Sequence, residues 1–130
     1  VLFTDFDWEV YPEGMYDILG FLRTEYNNPV VYITENGAAY DDVVTYEGVY
    51  DAKRIDFIKA YLDSVYRATR EGSDVRGYFI WSLLDNFEWN FGYSKRFGLV
   101  HVDDRTRERT IKESAKWYAD VCARNYFCVD

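Results

Sequence analysis

Apolar stretches of two different periods alternate along this chain. Met15, Ile18, Leu19, Leu22 and Tyr26 recur at helical spacing, which predicts a first helix with one apolar face. Pro12 suits its first turn, where a missing N–H is harmless, and Pro29 lies just beyond its end. Val30-Val31-Tyr32-Ile33-Thr34 is then β-prone without alternation, the pattern of a strand buried on both faces of a parallel sheet. Asn36-Gly37 marks a turn, and residues 38–50 read as a loop. Ile55, Ile58, Leu62 and Val65 share one face of a second helix over 51–70, with Gly72 placed as its C-terminal cap. Gly77-Tyr78-Phe79-Ile80-Trp81 reads as the next buried strand. After a long loop, Phe97 to Val102 reads as extended. Thr110 opens a Thr-x-x-Glu capping box closed by Glu113, ahead of a last helix carrying Ile111, Ala115, Tyr118 and Val121.

Strands alternating with helices predict βαβ units and an α/β fold with a parallel sheet. A dinucleotide-binding domain alternates in the same way, but the glycines form neither G-x-G-x-x-G nor a P-loop. The 130 residues carry a net charge of −8, with 23 acidic against 15 basic side chains. No basic footprint for nucleic acid is present, so no nucleic-acid partner is expected. No apolar run reaches the roughly 18 residues of a membrane span, and no basic stretch followed by an apolar one marks a leader, so no membrane partner is expected. Cys122 and Cys128 make neither a disulfide framework nor a zinc site and are expected to be free thiols. No cofactor and no metal are called for. The 13 Tyr, 9 Phe and 4 Trp exceed ordinary usage, and composition alone assigns them to a large aromatic core rather than to sugar stacking.

Chemistry concentrates at the two strand ends. In Ile33-Thr34-Glu35-Asn36-Gly37, a carboxylate sits where a strand meets a turn, and in a (β/α)₈ barrel that end of the strand carries the active site. A solvated turn residue is an equal reading of Glu35 alone. Trp81-Ser82-Leu83-Leu84-Asp85-Asn86-Phe87-Glu88-Trp89, followed by Gly92-Tyr93-Ser94-Lys95-Arg96-Phe97-Gly98, places two indoles and a carboxylate on a loop over the same end. Aromatic planes for C–H faces and acceptors for hydroxyls are what a polyhydroxylated sugar needs.

The two segments together resemble family 1 glycoside hydrolases. Trp8-Glu9-Val10-Tyr11-Pro12-Glu13-Gly14 resembles the family's segment before the sixth barrel helix, and Lys112-Glu113-Ser114-Ala115-Lys116-Trp117-Tyr118 its last helix. The likeness runs over roughly residues 4–125 and leaves the tail from Tyr126 to Asp130 unmatched. It implies the C-terminal portion of a TIM barrel, the seventh and eighth strands with their helices, as one segment of a single domain that is incomplete alone. It implies Glu35 as nucleophile of a retaining β-glycosidase. Glu88 would accept from the 4- and 6-hydroxyls, Trp89 would donate to the 3-hydroxyl, Trp81 would lie under the ring, and Phe97 near the 6-position. A cis bond between Trp81 and Ser82 is implied as well. The family's 6-phosphoglycosidase branch typically has Ser at the position of Glu88, Tyr at that of Phe97 and a Lys near the phosphate. This chain keeps Lys95 but has Glu88, which would repel a phosphate, and Phe97, so an unphosphorylated sugar is expected.

The family's acid/base glutamate lies in a Thr-x-Asn-Glu-Pro motif. No glutamate here follows an Asn, and neither proline follows a Glu, so the acid/base is not in this chain. A full barrel takes about 250 residues. The expected partners are therefore a β-glycoside or small oligosaccharide and the remaining N-terminal part of the barrel. A non-catalytic carbohydrate-binding or structural fragment is the alternative. Tyr61 departs from the histidine of many relatives.

Overall fold

The computed structural model describes residues 1–128, so of the tail from Tyr126 onwards Val129 and Asp130 lie outside the described residues. The fold is α/β. The elements, in chain order, are α1 (Pro12–Glu25), β1 (Val31–Asn36), β2 (Val43–Val44), β3 (Val49–Tyr50), α2 (Ala52–Arg70), β4 (Val75–Ile80), a 3₁₀ turn (Trp89–Phe91), β5 (Val100–Val102), β6 (Arg109–Ile111) and α3 (Glu113–Arg124). β1 and β4 pair in parallel, with α2 as their crossover. β2–β3 and β5–β6 are short antiparallel ladders. The loop expected over 38–50 thus contains a small hairpin. Among the described residues no helix is long and apolar enough to cross a membrane.

Two apolar clusters fix the helices on one face of the β1–β4 pair. Leu19 of α1 and Val65 and Ala68 of α2 pack on Val31, Ile33 and Val75. Ile58 and Phe57 of α2 pack with Ala38, Tyr40 and Leu99, with Tyr78 and Ile80 of β4, and with Ala115, Trp117 and Tyr118 of α3. Side chains alternate across a strand, so the opposite face carries Tyr32 and Phe79, and these are 54% and 56% exposed. The expectation of strands buried on both faces is corrected here: helices cover one face, and nothing among the described residues covers the other. Among the described residues, β1 and β4 also each keep one edge without a ladder partner.

Two further corrections concern helices. Ile18 and Tyr26 do not join Leu19 in the core but stand exposed, because α1 turns only a narrow stripe towards α2 and the sheet. The Thr110–Glu113 capping box does not form. Thr110 is held in the β6 ladder opposite His101, and Glu113 already lies in the first turn of α3, bonded to Lys116. The cap comes from far away in sequence. Asp51, at the N-cap position of α2, accepts the Ser114 N–H at 2.9 Å and the Ser114 hydroxyl, while Arg54 donates to its other side at 3.0 Å. A buried carboxylate is tolerated there because both of its oxygens accept hydrogen bonds and one donor is a cation.

Candidate active site

Glu35 is the next-to-last residue of β1, and Trp81 directly follows β4. The strands are parallel neighbours, so their C-terminal ends fall side by side. The Trp81 N–H donates to the Asn36 carbonyl at 3.0 Å. The Trp81–Ser82 peptide bond is cis, as the resemblance implies. Gly37 makes this junction possible: a β-carbon on it would collide with the Trp81 carbonyl oxygen. Asn36 is fixed from the far side by the Tyr78 hydroxyl, which donates to its side-chain oxygen. Burial raises the Tyr78 pKa, so this phenol stays a donor. Its own backbone carbonyl accepts from the Tyr118 hydroxyl at 2.9 Å, and burial pushes that phenol up to about 12.

Beyond Trp81 the chain runs beside residues 97–100 through hydrogen bonds at 2.9–3.2 Å, from Ser82 N–H to Phe97, Leu99 N–H to Ser82 and Val100 N–H to Leu83. Ser82 also bonds the Leu84 carbonyl at 2.8 Å. Glu88 is then presented by a tight turn. Its N–H donates to the Gly92 carbonyl, and its carboxylate accepts from the Asn86 amide at 3.1 Å. Trp89 starts the 3₁₀ turn and is exposed.

Glu35, Trp81, Glu88, Trp89 and Phe97 all line one open cleft of about 540 Å³. Phe97 differs from the others in being buried. It forms the cleft floor beside Phe6 and Trp8, with ring centroids 5.6 and 6.1 Å apart. Among the lining residues to which sequence reasoning gave no site role are Trp8, Glu9, Tyr61 and Asn86. Trp8 reaches the cleft because the Thr4 hydroxyl accepts the Phe6 and Trp8 N–H groups at 3.2 and 3.3 Å and curls the segment inward. A hydroxyl-capped turn of this kind has only a weak sequence signal. Tyr61 accepts the Tyr11 N–H at 3.2 Å. Among the described residues the cleft walls hold three carboxylates, those of Glu9, Glu35 and Glu88, and no Lys, Arg or His.

Such a surface can stack a sugar ring, accept its hydroxyls and present a carboxylate to it. A second cluster of Asp42, Asp85 and His101 brings ligand atoms within 4.8 Å of one another. It is already compensated by cations. Lys112 pairs with both aspartates, Arg54 with Asp42 at 2.8 Å, and Arg96 approaches Asp85 at 3.6 Å. Cys122 and Cys128 are free and exposed.

The family model described as glycosyl hydrolase family 1 matches residues 1–127. The chain belongs to this family. It is 54% identical over 123 residues to Beta-glucosidase A of Thermotoga maritima, covering 94% of this chain and 28% of that protein. It is 49% identical to Beta-glucosidase A of Acetivibrio thermocellus, covering 95% and 28%. It is also 47% identical to a 6-phospho-beta-galactosidase of Leptotrichia buccalis, covering 91% and 26%. The solved β-glucosidase from Thermotoga maritima in complex with glucoimidazole superposes with a TM-score of 0.94 at 52% identity, over 98% of this chain and 29% of that one. The chain thus spans a little over a quarter of the length of the relatives it matches.

Proposed function

We propose that this chain is the part of a retaining β-glycosidase barrel that carries the nucleophile and much of the glycone site. The observation that carries this reading is the convergence of Glu35, Trp81, Glu88, Trp89 and Phe97 on one cleft at the ends of two parallel strands. The substrate is a terminal β-glucoside or related β-glycoside. The Glu35 carboxylate attacks the anomeric carbon, the glycosidic C–O bond breaks, and the departing oxygen takes a proton from an acid outside these residues. Water, deprotonated by the same outside group, then displaces Glu35 and yields the sugar with its configuration retained. β1 and β4 are the seventh and eighth barrel strands in this reading. Their uncovered face and free edges support a partner, the N-terminal strands of the barrel, that closes the sheet.

The family relatives include a phosphosugar enzyme, but the cleft speaks for a neutral glycone. Among the described residues three carboxylates and no cation line it, so this wall offers a phosphate dianion repulsion and no compensating charge. The experiment is a chimaera in which this chain replaces the matching segment of the Thermotoga maritima enzyme. Incubation with 2,4-dinitrophenyl 2-deoxy-2-fluoro-β-glucoside is expected to leave one fluoroglucosyl group, mapped by peptide mass to Glu35. An adduct on another residue, or a folded chimaera that takes none, overturns the reading.

A further inference from the structure

Lys112 is wholly buried, with its side chain 0% exposed, yet it ends in a charge. A methionine or leucine would fill that volume without desolvating an ammonium, so the charge itself needs a reason. Its two partners supply one. Asp42 lies on the segment that leaves β1 just after Glu35-Asn36-Gly37, and Asp85 lies three positions before Glu88. The ammonium pairs closely with Asp42 and meets Asp85 at 2.9 Å, so one cation is bonded to both arms of the cleft.

Each arm is gripped further at the same point. Asp85 accepts the Gly98 N–H at 2.9 Å and the Val102 N–H at 3.3 Å, and its own N–H donates to Val100. Gly98 is needed for this approach, since a β-carbon there would strike the Asp85 backbone nitrogen. Asp42 is held by Arg54, which also reaches Asp51 and the Arg96 carbonyl. The backbone N–H of Lys112 donates to Leu99 at 3.0 Å, so the base of the strut is fixed as well as its tip. From Asp85, the hydrogen bond from Asn86 to Glu88 carries the placement to the cleft surface.

We infer that Lys112 is a positioning residue that sets the separation between the nucleophile arm and the arm holding the sugar hydroxyls, an inference resting on the proposed roles of Glu35 and Glu88. Its loss leaves the chemistry of both carboxylates intact and misplaces one against the other. The effect falls hardest on sugars that need both arms at once. A glucoside offers Glu88 a 4- and a 6-hydroxyl, whereas a xyloside lacks the hydroxymethyl group.

The test compares p-nitrophenyl β-glucoside with p-nitrophenyl β-xyloside in the chimaeric barrel, with active sites counted by fluoroglucosyl trapping so that misfolded molecules do not enter. Lys112→Met is expected to lower glucoside kcat/KM on the order of 10- to 100-fold per titrated site and xyloside kcat/KM several-fold less, so that the ratio falls. Asp42→Asn, which removes one of the two ends, is expected to lower the ratio in the same direction by less. Equal losses for the two sugars, or no loss in either variant, overturn the strut. If Lys112→Met yields no titratable sites, the ratio for Asp42→Asn decides. An unmodified chimaera that traps nothing overturns the Glu35 reading and the strut with it.

Discussion

Gly37 concentrates much of the site into one missing side chain. The Trp81 carbonyl occupies the space a β-carbon would need, and that carbonyl belongs to backbone rather than to a flexible side chain. Gly37→Ala must therefore part the two strand ends. Displacements near 1 Å at a catalytic constellation lower rates by about 100-fold. Gly37→Ala in the chimaera is expected to lose kcat/KM on that scale, read with an aryl β-glucoside. Glu35→Ala is expected to lose turnover altogether and to regain part of it with added azide, which substitutes for the carboxylate and leaves an α-glycosyl azide detectable by NMR. Near-parental kcat in Glu35→Ala refutes its assignment as nucleophile. The neighbourhood of Glu35 and Trp81 was legible because both lie at the C-terminal ends of β-prone runs, whereas the roles expected of them came from the family resemblance. Trp8 was not, since its place depends on a hydroxyl-capped turn at Thr4 and on long-range packing against Phe97.

The helices and strands were legible where apolar periodicity was long, as in α2, and less so where the partner of a face lies elsewhere. The strand at 30–34 reads as doubly buried because Tyr32 and Val30 are apolar, yet burial depends on what covers them, and periodicity carries no information about that. The capping box at Thr110 failed for a related reason: ladder pairing of β6 outcompeted a local side-chain bond. The pairing of α1 with α2 was invisible in sequence and is partly electrostatic. Arg67 holds Glu13 through two bonds of 2.8 Å, and Tyr16 and Arg23 both donate to Glu71. These donors lower the pKa of both glutamates below the ordinary 4.5. A depressed carboxyl contributes stability above its unfolded pKa and loses it as pH falls through the folded one. Glu13→Gln is therefore expected to have a lower Tm than its parent at pH 6, and the gap is expected to close as acidification protonates the Glu13 carboxyl. Thermal unfolding of the chimaera across that range measures it, and a gap that widens on acidification rules the contribution out. The pairs are exposed, so salt shrinks the same gap.

At the scale of the molecule, an apolar sheet face that no described residue covers sits beside two edges that none of them pairs. Edges of this kind pair with other chains. The isolated chain is expected to self-associate in sedimentation velocity, and addition of the N-terminal barrel segment is expected to reduce that association. Alone it is also expected to give no sustained release from p-nitrophenyl β-glucoside, since in the proposed reading acid–base assistance worth about 10²–10⁴-fold comes from outside it. Steady turnover without any larger polypeptide in the sample contradicts this. The bond between Asp51 and Ser114 carries a consequence for how the chain folds. It spans 63 residues, so the first turn of α3 cannot be completed by local sequence and waits for the start of α2 to arrive. Closing a loop of that length is an entropic step that precedes the gain from the contact. The Ser114 amide proton is thus a clock for that docking: in hydrogen exchange it is expected to gain protection later than the α2 amides, and Asp51→Asn, which weakens the acceptor, is expected to hasten its exchange more than that of the amides in the middle of α2.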